Sequence, residues 1–371
     1  MTPPRIVQWH RRLYWLLPVL LVGVCVYLFS NRAGPRNWAA SAIAFSPEGD
    51  RLIVGTYRWR RIPPTSTPRF LLGGIVQSVK SLDPSTGRQM EVIERTSSSL
   101  VRSGIAPEPS SWIAFSPDGQ KLAIGHWDGR TLLRNVGAWK QAAVIGEEGK
   151  FVTNVNFLRD GTTLCVGHRS FPLIWELNAP NKWRHVDADV RPHSTSLSPD
   201  GKLLAFASGW FDVSVVDVAQ WTLVNRFEWN ATTGELLKPG ESESNLLVCD
   251  HVAFTPDGQQ LVVALREGNK RRLVLCVETE TGREIHRFKD RHGVIRFSSD
   301  KQTMAIGGYS GLSLIALDTN EERYIESRQG ILDLRFSPDS KRIVFGDWDG
   351  WAECRDASDG KILWRTYVGG F

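Results

Sequence analysis

The sequence predicts an all-β protein made of seven copies of one unit, preceded by a single N-terminal transmembrane helix. Two observations lead there: a short motif that occurs seven times between apolar runs, and one uncharged apolar segment near the N-terminus. A unit that repeats along a chain buries its apolar face only by stacking on its neighbours. Because each unit also reads as four strands, the expected architecture is a seven-bladed β-propeller of four-stranded antiparallel blades.

The repeated motif is a tight turn of the type Phe-Ser-Pro-Asp-Gly between two strand-like runs of Ile, Val, Leu and Phe. In Ser116-Pro117-Asp118-Gly119, Pro fixes φ, Asp accepts local backbone hydrogen bonds and Gly tolerates a positive φ. Lys301 and Ser340 stand where the other copies have Gly, so we expect a different turn type in those two units. The seven copies are IAFSPEGDRLIVG (43–55), IAFSPDGQKLAIG (113–125), VNFLRDGTTLCVG (155–167), TSLSPDGKLLAFA (195–207), VAFTPDGQQLVVA (252–264), IRFSSDKQTMAIG (295–307) and LRFSPDSKRIVFG (334–346).

A third strand follows in every unit and ends on a residue with a short hydrogen-bond acceptor, after which a turn leads to a fourth strand. These acceptors are Asp83, Asn135, Glu176, Asp217, Glu278, Asp318 and Asp356. The key aromatic positions of the first strands are Phe45, Phe115, Phe157, Leu197, Phe254, Phe297 and Phe336. Most of their separations match the period of about 40–45 residues for a four-stranded blade.

These turns and acceptors resemble those of the WD-repeat family, over about residues 39–370. At the end of the third strand the Trp-Asp pair of that family appears only as Trp175-Glu176, and the Gly-His pair usual before the first strand is missing from most blades. The resemblance implies a β-propeller that serves as a platform for protein–protein interaction. The sequence contains no G-x-S-x-G, H-E-x-x-H, phosphate-binding glycine loop or paired Cys motif, so we expect neither a cofactor nor a catalytic centre.

The apolar segment runs from Leu13 to Ser30 and contains 18 residues without a charge. A helix of that length spans about 27 Å, close to the roughly 30 Å hydrocarbon core of a bilayer. A cleaved signal peptide is the alternative, but it has a shorter apolar core and a small-residue cleavage site. We therefore divide the chain into a basic flank (1–12), a transmembrane helix (13–30), a linker (31–38) and the propeller (39–371).

The charges around this segment set the expected orientation and partners. Residues 1–40 hold five Arg and no acidic residue, which leaves 40 basic against 40 acidic residues in the propeller. The slight excess of Arg before the helix predicts a cytoplasmic N-terminus and an extracytoplasmic propeller. Since the propeller is formally neutral, general affinity for nucleic acid is not expected.

The long connections of the predicted propeller fall on one face. We call it the decorated face: it carries the second-to-third turns of the blades and the blade-to-blade loops. The opposite plain face carries the first-to-second and third-to-fourth turns. Expanded connections of the decorated face occur at residues 57–74, 96–111, 229–245 and 265–272. Because function commonly resides in loops on a rigid scaffold, this face is the predicted site for a protein or peptide partner.

The predicted binding residues are aromatic and Arg side chains of the decorated face, the types enriched at interaction hot spots. They are Tyr57, Arg58, Trp59, Arg60 and Arg61 from the blade 1 insertion, with Trp127, Trp210, Tyr309 and Trp348 from hairpins of other blades. Packing against the next blade is the structural alternative for the hairpin aromatics. His126 and His168 occupy equivalent hairpins of neighbouring blades, and we expect them at the surface rather than on a metal.

A propeller enzyme, quinoprotein-like or lactonase-like with a site at the central channel, is the alternative function. It requires a cluster of acidic or His residues in the channel, for which Asp250, His251, Asp333 and His193 are the candidates. The four Cys beyond Cys25 lie in strand-like runs without a Cys-x-x-Cys pair, which predicts buried free thiols. We also expect blade 7 to keep its own fourth strand and to close the ring by packing on blade 1.

Overall fold

The computed structural model of the chain describes residues 38–61, 73–101, 112–146, 152–168, 172–179, 183–186, 192–208, 211–230, 235–237, 247–267 and 271–370. Every regular element in these ranges is a β-strand. No helix in them is long and apolar enough to cross a membrane, and the predicted transmembrane segment 13–30 lies outside these ranges.

The strands form seven sheets of four, and in each sheet the strands pair in sequence order with antiparallel neighbours. The predicted all-β propeller of seven four-stranded blades is thus confirmed. Blades 1 and 2 are β1 (Trp38–Phe45), β2 (Leu52–Arg61), β3 (Gly73–Leu82), β4 (Gln89–Val101), and β5 (Ile113–Phe115), β6 (Lys121–Gly125), β7 (Arg130–Asn135), β8 (Gln141–Gly146). Blades 3 and 4 are β9 (Val152–Phe157), β10 (Thr163–His168), β11 (Pro172–Glu176), β12 (Trp183–His185), and β13 (Ser194–Leu197), β14 (Leu203–Ala207), β15 (Asp212–Asp217), β16 (Leu223–Glu228). Blades 5 and 6 are β17 (Val248–Phe254), β18 (Gln260–Glu267), β19 (Arg271–Glu278), β20 (Glu284–Lys289), and β21 (Val294–Phe297), β22 (Thr303–Gly307), β23 (Gly311–Ala316), β24 (Glu322–Glu326). Blade 7 is β25 (Ile331–Phe336), β26 (Arg342–Asp347), β27 (Trp351–Asp356) and β28 (Ile362–Tyr367).

The first strand of each blade faces the centre, because the seven first strands contact one another in a closed ring from β1 through β25 and back to β1. The apolar core lies between blades rather than within them. One cluster, for example, joins Ile43 and Leu52 of blade 1 to Val344, Cys354 and Trp364 of blade 7. Stacked cores of this kind explain why one unit cannot fold alone. Cys165, Cys249, Cys276 and Cys354 are free and buried within them, as predicted.

The first-to-second turns form a continuous ring on the plain face. A Cβ atom on Gly49 would lie 3.3 Å from Pro338 of blade 7, and one on Gly119 would lie 3.3 Å from Pro47 of blade 1. The turn types expected for blades 6 and 7 were wrong. Lys301 and Ser340 adopt φ of 62° and 59°, the same left-handed conformation that Gly adopts in the other five turns.

Ring closure follows the prediction in the described part of the chain. Residues 38–40 pair with β2, and the outer strand of blade 7 is its own β28. Blade 7 is held to blade 1 by side chains that bond across the junction. The indole of Trp364 donates to the carbonyl of Pro84 at 3.0 Å, and the Lys80 ammonium donates to the carbonyls of Val368 and Gly370 at 2.8 and 2.9 Å.

Candidate functional site

Blade 1 projects beyond the other blades on the decorated face. Its second strand, β2, continues for six residues past Gly55, which is the position equivalent to the end of β6 in blade 2. Strand β3 pairs with β2 as far as the pair of Arg61 and Gly73. The residues Tyr57 to Arg61 therefore lie in a strand and not in a loop, which corrects the prediction. Six residues of strand reach about 20 Å. The side chains of Trp59, Arg60 and Arg61 lie outside the described residues.

Tyr57 is a support for this face and not a contact surface. It is only 3% exposed, packs with Ala39 and Leu332, and its ring centroid lies 6.1 Å from that of Trp127. Burial raises the pKa of its phenol. The backbone N–H of Trp127 donates to the side-chain carbonyl of Gln77 at 3.3 Å, so blade 1 holds the Trp127 hairpin in place. Trp127 itself and Arg58 are partly exposed.

The second-to-third hairpins of blades 4, 6 and 7 present aromatic rings to solvent. Phe211 is 39% exposed, Tyr309 56% and Trp348 37%. Trp210 lies outside the described residues, and its neighbour Phe211 represents that hairpin. Aromatic side chains in the equivalent hairpins of four blades make up what we call the aromatic arc; three of them are exposed and Trp127 is partly exposed: Trp127, Phe211, Tyr309 and Trp348. Exposed surfaces of this type commonly mark interaction sites.

Tyr309 is positioned by two neighbours that the sequence did not indicate. The His292 ring stacks on it with centroids 6.2 Å apart and planes at 8°, and the Arg272 guanidinium lies 4.8 Å from its centroid. His292 in turn contacts Asp250 through Nε2 at 2.5 Å. The contact between cation and ring holds the aromatic side chain, which is still 56% exposed.

The hairpin His residues are buried, which corrects the expectation that they lie at the surface. His126 is 4% exposed and contacts the Thr96 hydroxyl through Nδ1 at 3.3 Å, and His168 is fully buried. Burial lowers the pKa of His126, which keeps the imidazole neutral at pH 7. In the part of the chain that the structure describes, no three His, Cys, Asp or Glu side chains are placed to hold a metal.

The insertion after blade 4 does not stay on the decorated face. Residues 228–230 and 235–237 pair as a small hairpin, and a Cβ on Gly282 would lie 2.9 Å from Leu236. Gly282 belongs to a third-to-fourth turn of blade 5, so the described part of this insertion runs along the outer rim toward the plain side. Trp229 at its start is 1% exposed and belongs to the core. Fewer long connections than predicted therefore lie wholly on the decorated face.

The central channel contains a cavity of about 270 Å³ lined by the first strands of blades 3 to 7. Its wall includes His193, Asp250, His251 and Asp333, the four residues proposed for a channel enzyme. The two carboxylates are already engaged. Asp250 accepts from Arg266 Nε at 2.5 Å, while Asp333 accepts from Arg296 and Arg335 at 2.9 and 3.1 Å.

The electrostatics of these groups disfavour a general acid or base. Burial acts to raise the pKa of Asp250, but the hydrogen bond with His292 and the charge of Arg266 outweigh it and lower the pKa. Burial, followed by the charge of Arg296, lowers the pKa of His251 well below its usual value. The carboxylate of Asp250 therefore stays ionised beside Arg266, and the imidazole of His251 stays neutral.

No profile of a known protein family matches the chain. The chain is 36% identical over 120 residues to WD repeat-containing protein SL1-17 of Schistosoma mansoni, which covers 32% of this chain and 40% of that protein. It is 30% identical over 191 residues to Telomerase Cajal body protein 1 of Mesocricetus auratus, covering 49% of this chain and 31% of that protein, and the Mus musculus protein matches equally.

The fold and the relatives support a protein of the WD-repeat family. Seven complete blades and a relative that is named for its WD repeats agree on this, and the chain spans less than half the length of the relatives it matches. In this propeller the aromatic arc and the channel cavity are two separate features, one on the decorated face and one inside the ring.

Proposed function

We propose that the protein is an interaction scaffold that binds a protein or peptide partner through the aromatic arc of its decorated face. The observation that carries this is the repeated exposure of large rings at equivalent hairpins, with Tyr309 and Trp348 on adjacent blades. A rigid propeller loses little conformational entropy when it binds, and Trp and Tyr side chains dominate the energetics of many interfaces.

The neighbouring groups support a polar rim around these rings. Arg272 and His292 flank Tyr309, and Asp347 beside Trp348 is buried and accepts from the backbone N–H groups of Asp349 and Trp351 at 2.9 Å each. Tyr309 is thus held by side chains that lie outside its own hairpin, and the hairpin of Trp348 is ordered by Asp347, before a partner arrives. Preorganised side chains of this kind lower the entropic cost of association.

The test is crosslinking and capture of partners by the full chain, comparing the wild type with Trp348→Ala and Tyr309→Ala. Truncation of a hot-spot ring costs about 2 kcal/mol or more, so a captured partner should bind roughly 30-fold more weakly. Trp183→Ala is the matched control, because Trp183 is 42% exposed but lies on the outer strand of blade 3. An equal loss of partner binding in both arc variants and in the control, or no loss of binding in any of the three, contradicts the proposal.

A second arm examines the projection of blade 1. Residues 62–72 are replaced by Asn-Gly, a two-residue turn that suits strands already paired at Arg61 and Gly73. The replacement leaves Tyr57 and its contact with Trp127 intact. Loss of a partner in this variant assigns the insertion to the binding surface, while unchanged capture removes it from the surface.

We also propose that residues 13–30 tether the propeller to a membrane, with the N-terminus cytoplasmic. The support is the uncharged apolar run of 18 residues and its Arg-rich flanks. Alkaline carbonate extraction tests it: a transmembrane anchor keeps the protein in the membrane pellet. Release of the full chain into the supernatant contradicts tethering, and protease protection of the propeller reports the side on which it lies.

A further inference from the structure

Tyr309 and Trp348 of the aromatic arc border one surface, because Gly330 lies between them. A Cβ atom on Gly330 would lie 3.0 Å from Cδ1 of Trp348 and 3.3 Å from the Cα atom of Tyr309. Only a residue without a side chain lets the Trp348 indole approach the backbone of the Tyr309 hairpin this closely. The two exposed rings therefore flank a shared stretch of backbone on blades 6 and 7, and one partner segment can contact both.

The loop 327–330, which contains this glycine, is bonded at both ends to the hairpin of blade 6. The backbone N–H of Ser327 donates to the carbonyl of Ser310 at 3.1 Å, and that of the first residue of β25 donates to the carbonyl of Gly308 at 3.0 Å. Arg328 lies between these two bonds and is exposed. The backbone of Arg328 is thus anchored beside the aromatic rings, while its side chain is accessible to a partner.

A second cation, Arg272 of blade 5, lies against this surface. Its guanidinium is 4.8 Å from the ring centroid of Tyr309. Within the described part of the chain, neither Arg272 nor Arg328 forms an ion pair with a carboxylate. Arg291 of the same sector, by contrast, is paired with Glu322. Because a cation already lies on Tyr309, a second cation from a partner is disfavoured there and a carboxylate is favoured.

The sequence of the neighbouring connections agrees with this preference. Arg272 is the last of three consecutive basic residues, 270–272, and neither the loop 327–330 nor the hairpin 308–311 contains an acidic residue. A surface with a local excess of one sign attracts a partner of the opposite sign. Asp349 directly follows Trp348 in sequence. We therefore expect the carboxylate of a partner on the side of the Arg residues and an apolar group on the side of Trp348.

We propose that the aromatic arc recognises a protein segment in which Asp or Glu side chains lie next to apolar ones. The carboxylates pair with Arg272 and Arg328, whose fixed donors match carboxylate oxygens, and the apolar side chains pack on Tyr309 and Trp348. This inference rests on the proposed function, because it names the chemistry of the partner that the same surface binds. It adds that the partner is selected by charge as well as by apolar contact.

The experiment is a selection of random dodecapeptides, displayed on phage, by the full chain in non-ionic detergent. We expect the enriched peptides to contain at least about twice as many Asp and Glu residues, relative to Lys and Arg, as the unselected library. An enriched acidic peptide is then synthesised with a fluorophore, and its affinity is measured by fluorescence anisotropy. The affinity should fall as the sodium chloride concentration rises, since salt screens exposed ion pairs.

Charge variants of the full chain assign the contacts. Arg272→Gln and Arg328→Gln should each weaken the binding of the acidic peptide roughly fivefold or more. Asp349→Asn should strengthen the binding about twofold, because one repulsive charge disappears. Arg283→Gln removes the same charge from an exposed turn on the plain face of blade 5, so it is the matched control and should bind the peptide like the wild type.

The outcomes separate this inference from the proposed function. Enriched peptides without an acidic excess, or wild-type affinity in both Arg272→Gln and Arg328→Gln, overturn the acidic preference. If Trp348→Ala still weakens the binding of those peptides, the docking surface itself stands. Acidic peptides whose affinity is unchanged in Trp348→Ala and in Tyr309→Ala contradict the docking surface and the inference that rests on it. A selection without enrichment counts against both.

Discussion

Asp333 is the residue whose loss should most weaken the closure of the ring. It lies on the first strand of blade 7, is 1% exposed, and bonds to blade 1 through the Ile43 N–H and to blade 6 through Arg296. Asp333→Ala leaves the N–H and two cations without their carboxylate. Breaking a buried ion pair in this way costs about 3–5 kcal/mol. Since Arg296 and Arg335 are 19% and 24% exposed, water compensates in part, and we expect about 3 kcal/mol.

Urea unfolding followed by Trp fluorescence measures this effect. With an m-value of about 3 kcal/mol/M for a domain of this size, the midpoint should fall by about 1 M. Glu278→Ala removes an exposed ion pair with Arg283 and should leave the midpoint unchanged. Asp333→Ala combined with Arg335→Gln should regain part of the loss, because one unpaired cation disappears. A midpoint for Asp333→Ala equal to that of Glu278→Ala would refute the role of Asp333 in closure.

Three further predictions concern the turns and the thiols. Lys301→Gly should stabilise the protein by about 0.5–1 kcal/mol in urea unfolding, since Lys301 adopts a left-handed φ of 62°. Ser340→Gly should stabilise the protein less, because the Ser340 hydroxyl also accepts a backbone hydrogen bond at 2.9 Å. Hydrogen bonds from the side chain of Ser85 and from nearby backbone N–H groups lower the pKa of Asp83 to about 2, so the stability that it adds is present above pH 4 and lost as the pH falls toward 2. Asp83→Asn should flatten the pH dependence of the urea midpoint in that window. Burial raises the pKa of Cys165 and Cys354 to about 12. Mass spectrometry should therefore find both thiols unmodified by maleimide in the folded protein and modified after denaturation. Rapid labelling in native buffer would contradict the burial.

The number and order of the strands could be predicted because turn chemistry repeats along the chain. The turn type of blades 6 and 7 could not be predicted, since a turn type does not depend on the residue at the left-handed position alone. The Ser298 and Ser337 hydroxyls accept the N–H groups of Thr303 and Arg342 at 2.9 and 3.0 Å, which closes each turn. These local bonds hold Lys301 and Ser340 in a conformation that Gly adopts more readily.

The candidate site was predicted less well, for two physical reasons. The run from Tyr57 to Arg61 is followed by a Pro-rich sequence, which suggests a loop. Its own alternation of aromatic and Arg residues, however, is a strand pattern of period two. The contacts that close the propeller join residues far apart in sequence: Ile43 and Asp333 are 290 positions apart.

Closure also bears on what the first residues of the chain are available to do. In propellers whose last blade borrows a strand from the N-terminus, that segment is part of the ring. Here blade 7 forms from β25 to β28, and Lys80, Trp364 and Asp333 bond it to blades 1 and 6. The ring therefore closes with described strands alone, beginning at Trp38. A segment that the ring does not need for closure can act as a tether without cost to the fold. Truncation before Trp38 therefore separates the proposed membrane attachment from stability, and the truncated protein should keep its urea midpoint.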